Sequence, residues 1–370
     1  MRYLVHFHAT MFCRAVRIYS VGAALCLLSP LQPAAATDSS KIVDAPWRTT
    51  SVSTGITWRQ FHFPDLYASW QSVNILDINN VQAGRTIAFA FVQAGFKKTS
   101  TFAQELSAIA AMNGGFFNTT TGGAVAFLKV NGQVINNTDS AFLASRPSND
   151  EAAFIEQNTG ILSIEKKPAS GKWTDLPDIA AKRNILASGP LLLFAGALFP
   201  QENVAFNTAR NPRSAVGLLQ NGHLLFITVD GRTDSAAGMT TTELRATMNY
   251  LGCVFALNLD GGGSSTLYIE QQPFNGIVNY PCDNGIYDHY GERSVCNVIC
   301  ILGPTLLLPH PETDRLRRNK VPVTRTLFFP ASESGRKNWP AKPLRDLTGR
   351  TVRAPGNGGK GLSAGRYIKD

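Results

Sequence analysis

Two Asn-Gly pairs, Asn131-Gly132 and Asn221-Gly222, each stand between apolar runs, and this confines the chain to tight antiparallel hairpins at both points. Both residue types tolerate the positive φ that a two-residue hairpin turn demands. The second pair joins residues 214–219 to 223–229. Other strand-like runs follow at short intervals, among them 73–78 and 86–92, while helical periodicity is scarce. The clearest helix is predicted over 241–251: Leu244, Met248 and Leu251 share one face, Thr240 and Glu243 form a capping box, and Gly252 stops it. The run 254–259 then reads as a strand leading into Asp260-Gly-Gly-Gly. Strand, helix and strand in that order predict a local crossover inside an α+β domain of mixed β-sheets with few helices.

The chain's ends differ from this body. Arg2, Arg14 and Arg17, an apolar stretch over 21–31 and the run Ala34-Ala35-Ala36 read as a signal peptide over 1–36, with Met11 as an alternative start. That eleven-residue stretch, interrupted by Ser29 and Pro30, is too short for a bilayer-spanning helix, which needs roughly 20. Cleavage after Ala36 would place the protein in the periplasm or outside the cell. Residues 37–59 read as an irregular lead-in, 60–302 as the domain and 309–370 as a mobile basic tail. That tail holds 14 Lys and Arg against 5 Asp and Glu, the whole formal charge of +9. The body is therefore neutral and no nucleic-acid partner is expected; the tail instead suits an anionic envelope surface. Export permits disulfides. Cys253, Cys282, Cys296 and Cys300 allow three full pairings, of which Cys282–Cys296 is preferred as a staple of the intervening loop, with Cys253 packing as a small hydrophobe.

Four segments place polar groups and glycine at the end of apolar runs, where sites are usually built: 113–118, 211–217, 230–232 and 258–266. The glycines Gly261, Gly262 and Gly263 lack the Lys of a P-loop and do not form a GxGxxG motif, which disfavours nucleotide binding. They suit close approach of backbone N–H groups to an anion, with Ser264, Ser265 and Thr266 as further donors. No cofactor and no catalytic metal are expected, although Asp230, Asp234 and Asp260 leave room for an adventitious calcium ion.

The strings MNGGFFN, ASGP, NPRSAVG, VDGR, NLDGGGSST and GERSV, in that order, resemble the phosphodiester glycosidase family, the family of the mannose 6-phosphate uncovering enzyme. The resemblance covers about residues 60–302. It implies a hydrolase that cuts between a sugar's anomeric carbon and a phosphodiester oxygen, an N-acetylglucosamine-like sugar among the candidates.

Such a substrate already carries a stable anionic leaving group, so the site needs cations and N–H donors for phosphate and a carboxylate near the anomeric carbon. Arg213 and Arg232 suit the first task through two-point guanidinium contacts. Asp260 is the leading carboxylate, followed by Asp230 and Glu243; the last two have competing roles as an Asp-Gly turn and a helix cap. Asn113, Gly114, Gly115 and Asn258 are candidates for the sugar, and Phe116 or Phe117 for stacking on its face. Arg293 reads equally as an ion-pair partner of Glu292 or another acid, and His223 as solvent-facing. Two rival functions stand beside this one: a glycosidase acting on a phosphate-free envelope polysaccharide, and a non-catalytic glycan-binding envelope protein.

Overall fold

The computed structural model describes residues 36–79 and 87–303, together with three short tail strands, 344–346, 351–352 and 367–368. The signal segment up to residue 35 and most of the basic tail lie outside the described residues. Within the larger unit the order begins α1 (Asp38–Val43), β1 (Arg48–Ser53), β2 (Ile56–Leu66), β3 (Ser69–Ile78), β4 (Ile87–Phe91), β5 (Lys97–Lys98), α2 (Thr99–Glu105) and β6 (Ala108–Asn113). It continues through β7 (Leu128–Val130), β8 (Gln133–Asn136), α3 (Ser140–Ser145), β9 (Ala152–Gln157), β10 (Leu162–Lys166), β11 (Lys182–Ser188), β12 (Leu191–Phe194) and β13 (Ala197–Leu198). It closes with α4 (Ala205–Thr208), β14 (Arg213–Leu219), β15 (Leu224–Val229), α5 (Thr241–Tyr250), β16 (Cys253–Asn258), β17 (Leu267–Ile269), β18 (Ser294–Val295) and β19 (Asn297–Leu302).

An eight-stranded sheet, order β1-β2-β3-β15-β14-β16-β12-β13, is joined by a five-stranded sheet, β10-β9-β11-β7-β8, and a four-stranded sheet, β17-β6-β19-β4. One core lies between the three sheets and takes Leu76, Phe226, Val216 and Leu257 from the first, Phe154 and Leu186 from the second, and Met112 and Ile299 from the third. The opposite face of the large sheet is also apolar, with Ile75, Leu225 and Ile227 packing against Ile42 of α1 and Leu244 and Met248 of α5. Burial on both faces explains why 224–229 is an unbroken apolar run instead of an alternating one. Helix α2 covers the outer face of the four-stranded sheet with Phe102 and Ala103.

The helix and its capping box form as predicted: Thr240 Oγ1 accepts from Glu243 N at 3.1 Å, Glu243 Oε2 accepts from Thr240 N at 2.9 Å, and Gly252 has φ +86°. Both β15 and β16 are antiparallel to β14, which lies between them, so the crossover through α5 joins two strands that run the same way. Between neighbouring named strands, however, every described pairing is antiparallel, so the mixed character is confined to that relation. The two hairpins use different turns. Asn131 and Gly132 both take positive φ, whereas at the second only Gly222 does.

The lead-in is a correction. Residues 38–58 are ordered into α1, β1 and the start of β2, with Ile42, Ile56 and Trp58 buried, because β1 and β2 complete the edge of the large sheet. The cysteine staple is another: Cys253, Cys282, Cys296 and Cys300 are all buried free thiols, and Cys253 packs between α5 and the large sheet as expected. The tail, a separate unit, has the strands Leu344–Asp346, Thr351–Val352 and Tyr367–Ile368 in one antiparallel sheet.

Candidate active site

The ends of β6, β15 and β16 and the start of β14 meet at one end of the molecule, and Asn113 ties them together. Its Oδ1 accepts from Ser214 Oγ at 2.7 Å and from Thr266 N at 3.2 Å, while its Nδ2 donates to Asp260 O at 2.7 Å. Asn258 does similar work, donating from Nδ2 to Gly189 O and Leu259 O, both at 2.7 Å. Both amides are buried and engaged with backbone, so the expectation that they bind sugar hydroxyls is corrected: they hold the Asp260 loop in place. Gly114 and Gly115 sit against Asn297, whose Oδ1 accepts from Gly115 N at 2.7 Å, and a Cβ at Gly114 would collide with that amide.

Asp260 faces a cavity of about 490 Å³ that is also lined by Arg146, Arg213, Arg232, Arg293 and Glu202. Asp260 N donates to Gly114 O at 3.1 Å, and its Oδ1 accepts from Gly261 N at 2.9 Å. Burial pushes its carboxyl up to about 6. The Ser264 hydroxyl, the Gly261 N–H and the charges of Arg293 and Arg146 oppose that rise, although the hydroxyl lies beside the carboxylate without hydrogen-bond geometry. No ion pair within 4 Å reaches Asp260 among the described residues. A carboxylate held this way is poised to ionise near neutrality while facing an excess of positive charge.

Three of the four arginines share one mode of anchoring. Arg213 donates from Nε to Met239 O at 2.8 Å and from Nη2 to Phe206 O and Ala209 O at 2.7 and 2.9 Å. Arg232 places Nε and Nη2 on Asn211 Oδ1 at 3.1 and 2.9 Å, and Arg293 places the same pair on Asp283 Oδ1 at 2.8 and 2.5 Å. Arg213 therefore keeps only the hydrogens of Nη1 unused among the described residues, while Arg232 and Arg293 also keep the second hydrogen of Nη2. This corrects the two-point grip expected of Arg213, which has one nitrogen left to offer, whereas Arg232 can still present Nη1 and the second hydrogen of Nη2 together. Burial, then the nearby charge of Arg232, lowers Arg213 to about 10. Arg146 is exposed, its guanidinium lies 5.3 Å from the Phe142 ring, and its side chain makes no hydrogen bond among the described residues.

The triple glycine admits this ring of cations. Gly262 has φ +62°, and a Cβ there would lie 2.9 Å from Arg232 Nη2; a Cβ at Gly263 would collide with Asp283 and Arg293. Gly261 and Gly262 line the cavity, but the hydroxyls of Ser264, Ser265 and Thr266 are buried behind it and do not. Phe116 forms part of the cavity wall beside Phe206, at 5.8 Å, whereas Phe117 packs in the core beneath α2.

The other two proposed carboxylates lie elsewhere. Asp230 is buried and accepts from Ser72 Oγ at 2.7 Å and from Asn279 Nδ2 and Tyr280 N at 2.9 Å each. Burial raises it to about 6, opposed by those three donors. Glu243 caps α5 and pairs with Arg210 at 2.6 Å, so its place is structural. Arg293 pairs with Asp283 and not Glu292, which accepts from Ser100 N and Oγ at the start of α2, both at 2.7 Å. His223 is half-buried with Nδ1 2.7 Å from Asp77 Oδ1, not solvent-facing. Among the described residues no three His, Cys, Asp or Glu gather closely enough for a metal ion, so the Asp230–Asp234–Asp260 set is not assembled. Arg146 and Glu202 were missed because neither adjoins a glycine motif; a lone Arg in the polar stretch 145–149 carries no signal of its own.

The family model for phosphodiester glycosidases matches residues 107–302, and the chain belongs to that family. Mouse N-acetylglucosamine-1-phosphodiester alpha-N-acetylglucosaminidase is 26% identical over 211 residues, covering 52% of this chain and 37% of that protein. An uncharacterized SPβ prophage-derived protein of Bacillus subtilis is 34% identical over 105 residues, 28% of this chain and 14% of that protein. The chain thus spans well under half the length of these relatives. The catalytic domain of the zebrafish N-acetylglucosamine-1-phosphodiester alpha-N-acetylglucosaminidase has the same fold, with a TM-score of 0.54 at 20% identity, covering 69% of this chain and 87% of that one.

Proposed function

We propose that the protein hydrolyses the glycosidic bond of a sugar-1-phosphodiester, with Asp260 facing the anomeric carbon and the arginines holding the phosphate. The observation that carries this reading is the convergence of Arg146, Arg213, Arg232 and Arg293 on the cavity that Asp260 faces. Four guanidiniums against two carboxylates, Asp260 and Glu202, give the cavity a net positive charge suited to an anionic leaving group. The relatives' names agree with it, since the mouse enzyme acts on an N-acetylglucosamine-1-phosphodiester.

In this reaction the bond from the anomeric carbon to the phosphate oxygen breaks, and its electron pair stays on the departing phosphate monoester. Prefixed guanidiniums stabilise that charge with little reorganisation, the condition under which electrostatic catalysis is strongest. The ionised Asp260 stabilises the positive charge that develops on the sugar, and water supplies the oxygen of the product. Cleavage of phosphodiester-linked sugars, with phosphate-free glycosides of the same sugars left intact, is the expected result for the purified protein. Equal turnover of both, or of neither, sinks the proposal.

The same proposal puts this activity in the periplasm or outside the cell beside anionic polymers or lipid, a reading supported by the signal-like composition of residues 1–36 and the basic composition of 309–370. Attraction of about 1 kcal/mol per basic residue near an anionic surface would then hold the enzyme there at low salt. Salt-dependent retention on anionic vesicles, lost on deleting 309–370, is the test.

A further inference from the structure

Apart from the residues that line the arginine cavity, seven aromatic rings contact one another in a row, some stacked and some tilted or edge-on. Trp70 at the start of β3 stacks on His62 of β2 at 5.0 Å, and His62 meets Tyr287 at 6.2 Å. Tyr287 stacks on Tyr280 at 4.1 Å, Tyr280 on His289 at 4.3 Å, and His289 on Phe274 at 4.3 Å. Tyr290 closes the row edge-on to Phe274. A loop core would hide these rings, yet Trp70, Phe274 and Tyr290 are 48%, 46% and 70% exposed. Exposed large aromatics gathered in one patch mark a binding surface more often than scattered single ones do.

The middle of the row, from His62 to Phe274, borders two adjoining cavities of about 440 and 360 Å³, which share Arg48, Gln60 and Tyr280 as a common wall, and Trp70 extends the row beyond them on β3. Both volumes lie in the range of small-ligand sites, roughly 300–1,000 Å³. Their linings contain one cation, Arg48, and no carboxylate, with Gln60, Gln272, Ser235 and the tyrosine hydroxyls as neutral donors and acceptors. Ring edges along the cavities, the exposed rings of Trp70 and Phe274 toward the ends of the row, and neutral polar groups between them fit a polyhydroxylated chain, whose sugar C–H faces pack on aromatics and whose hydroxyls meet amides. A single-stranded nucleic acid would also stack, but it calls for a basic groove, which one arginine does not make.

We propose that this aromatic row is a carbohydrate-chain binding surface, separate from the arginine cavity, that takes at least two consecutive sugars in its two cavities. The two regions share a fastening: Asp230 accepts from Tyr280 N on the row, and two residues later Arg232 lines the arginine cavity. A glycan lying along the row is thereby positioned relative to the reacting end without touching Asp260. The surface binds whether or not the chain is cut, so the idea stands or falls apart from the proposed hydrolysis.

The test is binding of the purified mature protein to hexasaccharides of N-acetylglucosamine, glucose and mannose, measured by calorimetry, with single-stranded oligothymidylate alongside. Binding of at least one hexasaccharide, weakened tenfold or more by Trp70→Ala and by Phe274→Ala, is expected. Both variants should keep the wild-type melting temperature and the wild-type rate on a small sugar-1-phosphodiester, since both rings are half-exposed and outside the arginine cavity. Binding of no hexasaccharide, binding that ignores both substitutions, or preference for the oligonucleotide overturns the proposal.

Discussion

Asp230 and Asp260 occupy matching places in the sequence: each follows an apolar run that forms a strand of the large sheet, and each precedes glycine. Burial raises both to about 6. Yet Asp230 is met by three donors from two segments and lines no cavity described above, while Asp260 has one backbone donor, no ion pair among the described residues and four arginines across an open cavity. The contrast shows that a carboxylate's role depends on what is left unsatisfied around it. A fully bonded Asp joins elements, and a partly bonded one beside cations is available for chemistry.

The strongest attempt to break this contrast is Asp260→Asn. It removes the charge with almost no change of shape, and a fall in kcat of at least ~1,000-fold is expected, on the scale of losing a transition-state electrostatic contact. Circular dichroism and melting should be unchanged. A variant that is folded and fully active would place the reacting carboxylate elsewhere, with Glu202 the next to test.

Arg232→Lys probes the cation side. An ammonium has its donors on one nitrogen and cannot reproduce the planar Nε and Nη2 contact with Asn211 while holding a further nitrogen toward phosphate, so kcat/KM for a sugar-1-phosphodiester should fall about 10- to 100-fold, equivalent to ~1.4–2.8 kcal/mol. Fluoride-leaving glycosides, which carry no phosphate, should show a much smaller change. An equal loss on both substrates would mean that the arginine shapes the cavity without contacting phosphate. Arg213→Lys should act differently, because this side chain satisfies three backbone carbonyls from a buried position. Leaving those acceptors unpaired costs ~1–3 kcal/mol each at most, so thermal stability should fall before any catalytic effect is separable.

How far the sequence disclosed these differences follows from the range of each interaction. Local rules held wherever the cause was local: the capping box at Thr240–Glu243, the Gly252 stop, both hairpin positions and the strand into Asp260 were all readable. The residues of β1 and the start of β2 read as irregular because an edge strand is defined by the partner it meets, and Trp58 and Ile56 become core only when β3 is alongside. The same limit applies to the site. The motif glycines marked the right loop, but whether Asn113 and Asn258 would face a ligand or a carbonyl depended on segments 69 to 153 residues away, Arg213 found its carbonyls within 26 residues in segments with no periodicity to place them, and Arg146 had no motif at all.

The smallest expected effect is at Asp230, where the sign of the pH dependence separates the two carboxylates. A carboxyl raised from its ordinary value of 3.8 to about 6 binds its proton more tightly in the folded than in the unfolded chain. Its contribution to stability is therefore fully present below pH 3.8 and lost as pH rises through about 6. Asp230→Asn removes that loss: Oδ1 can still accept from Asn279 and Tyr280, and the new amide can donate to a rotated Ser72 hydroxyl. Melting temperatures measured from pH 4 to 8 should accordingly decline less in the variant than in the wild type. Activity should respond to the other group. With Asp260 acting as the ionised form, kcat/KM should fall tenfold per unit below an apparent pKa of about 6, and that limb should stay in place when Asp230 is changed. A limb that moves or vanishes in Asp230→Asn, or a melting profile identical to that of the wild type, would mean that the two carboxylates titrate as one unit and that the separation of roles drawn from their hydrogen bonds is wrong.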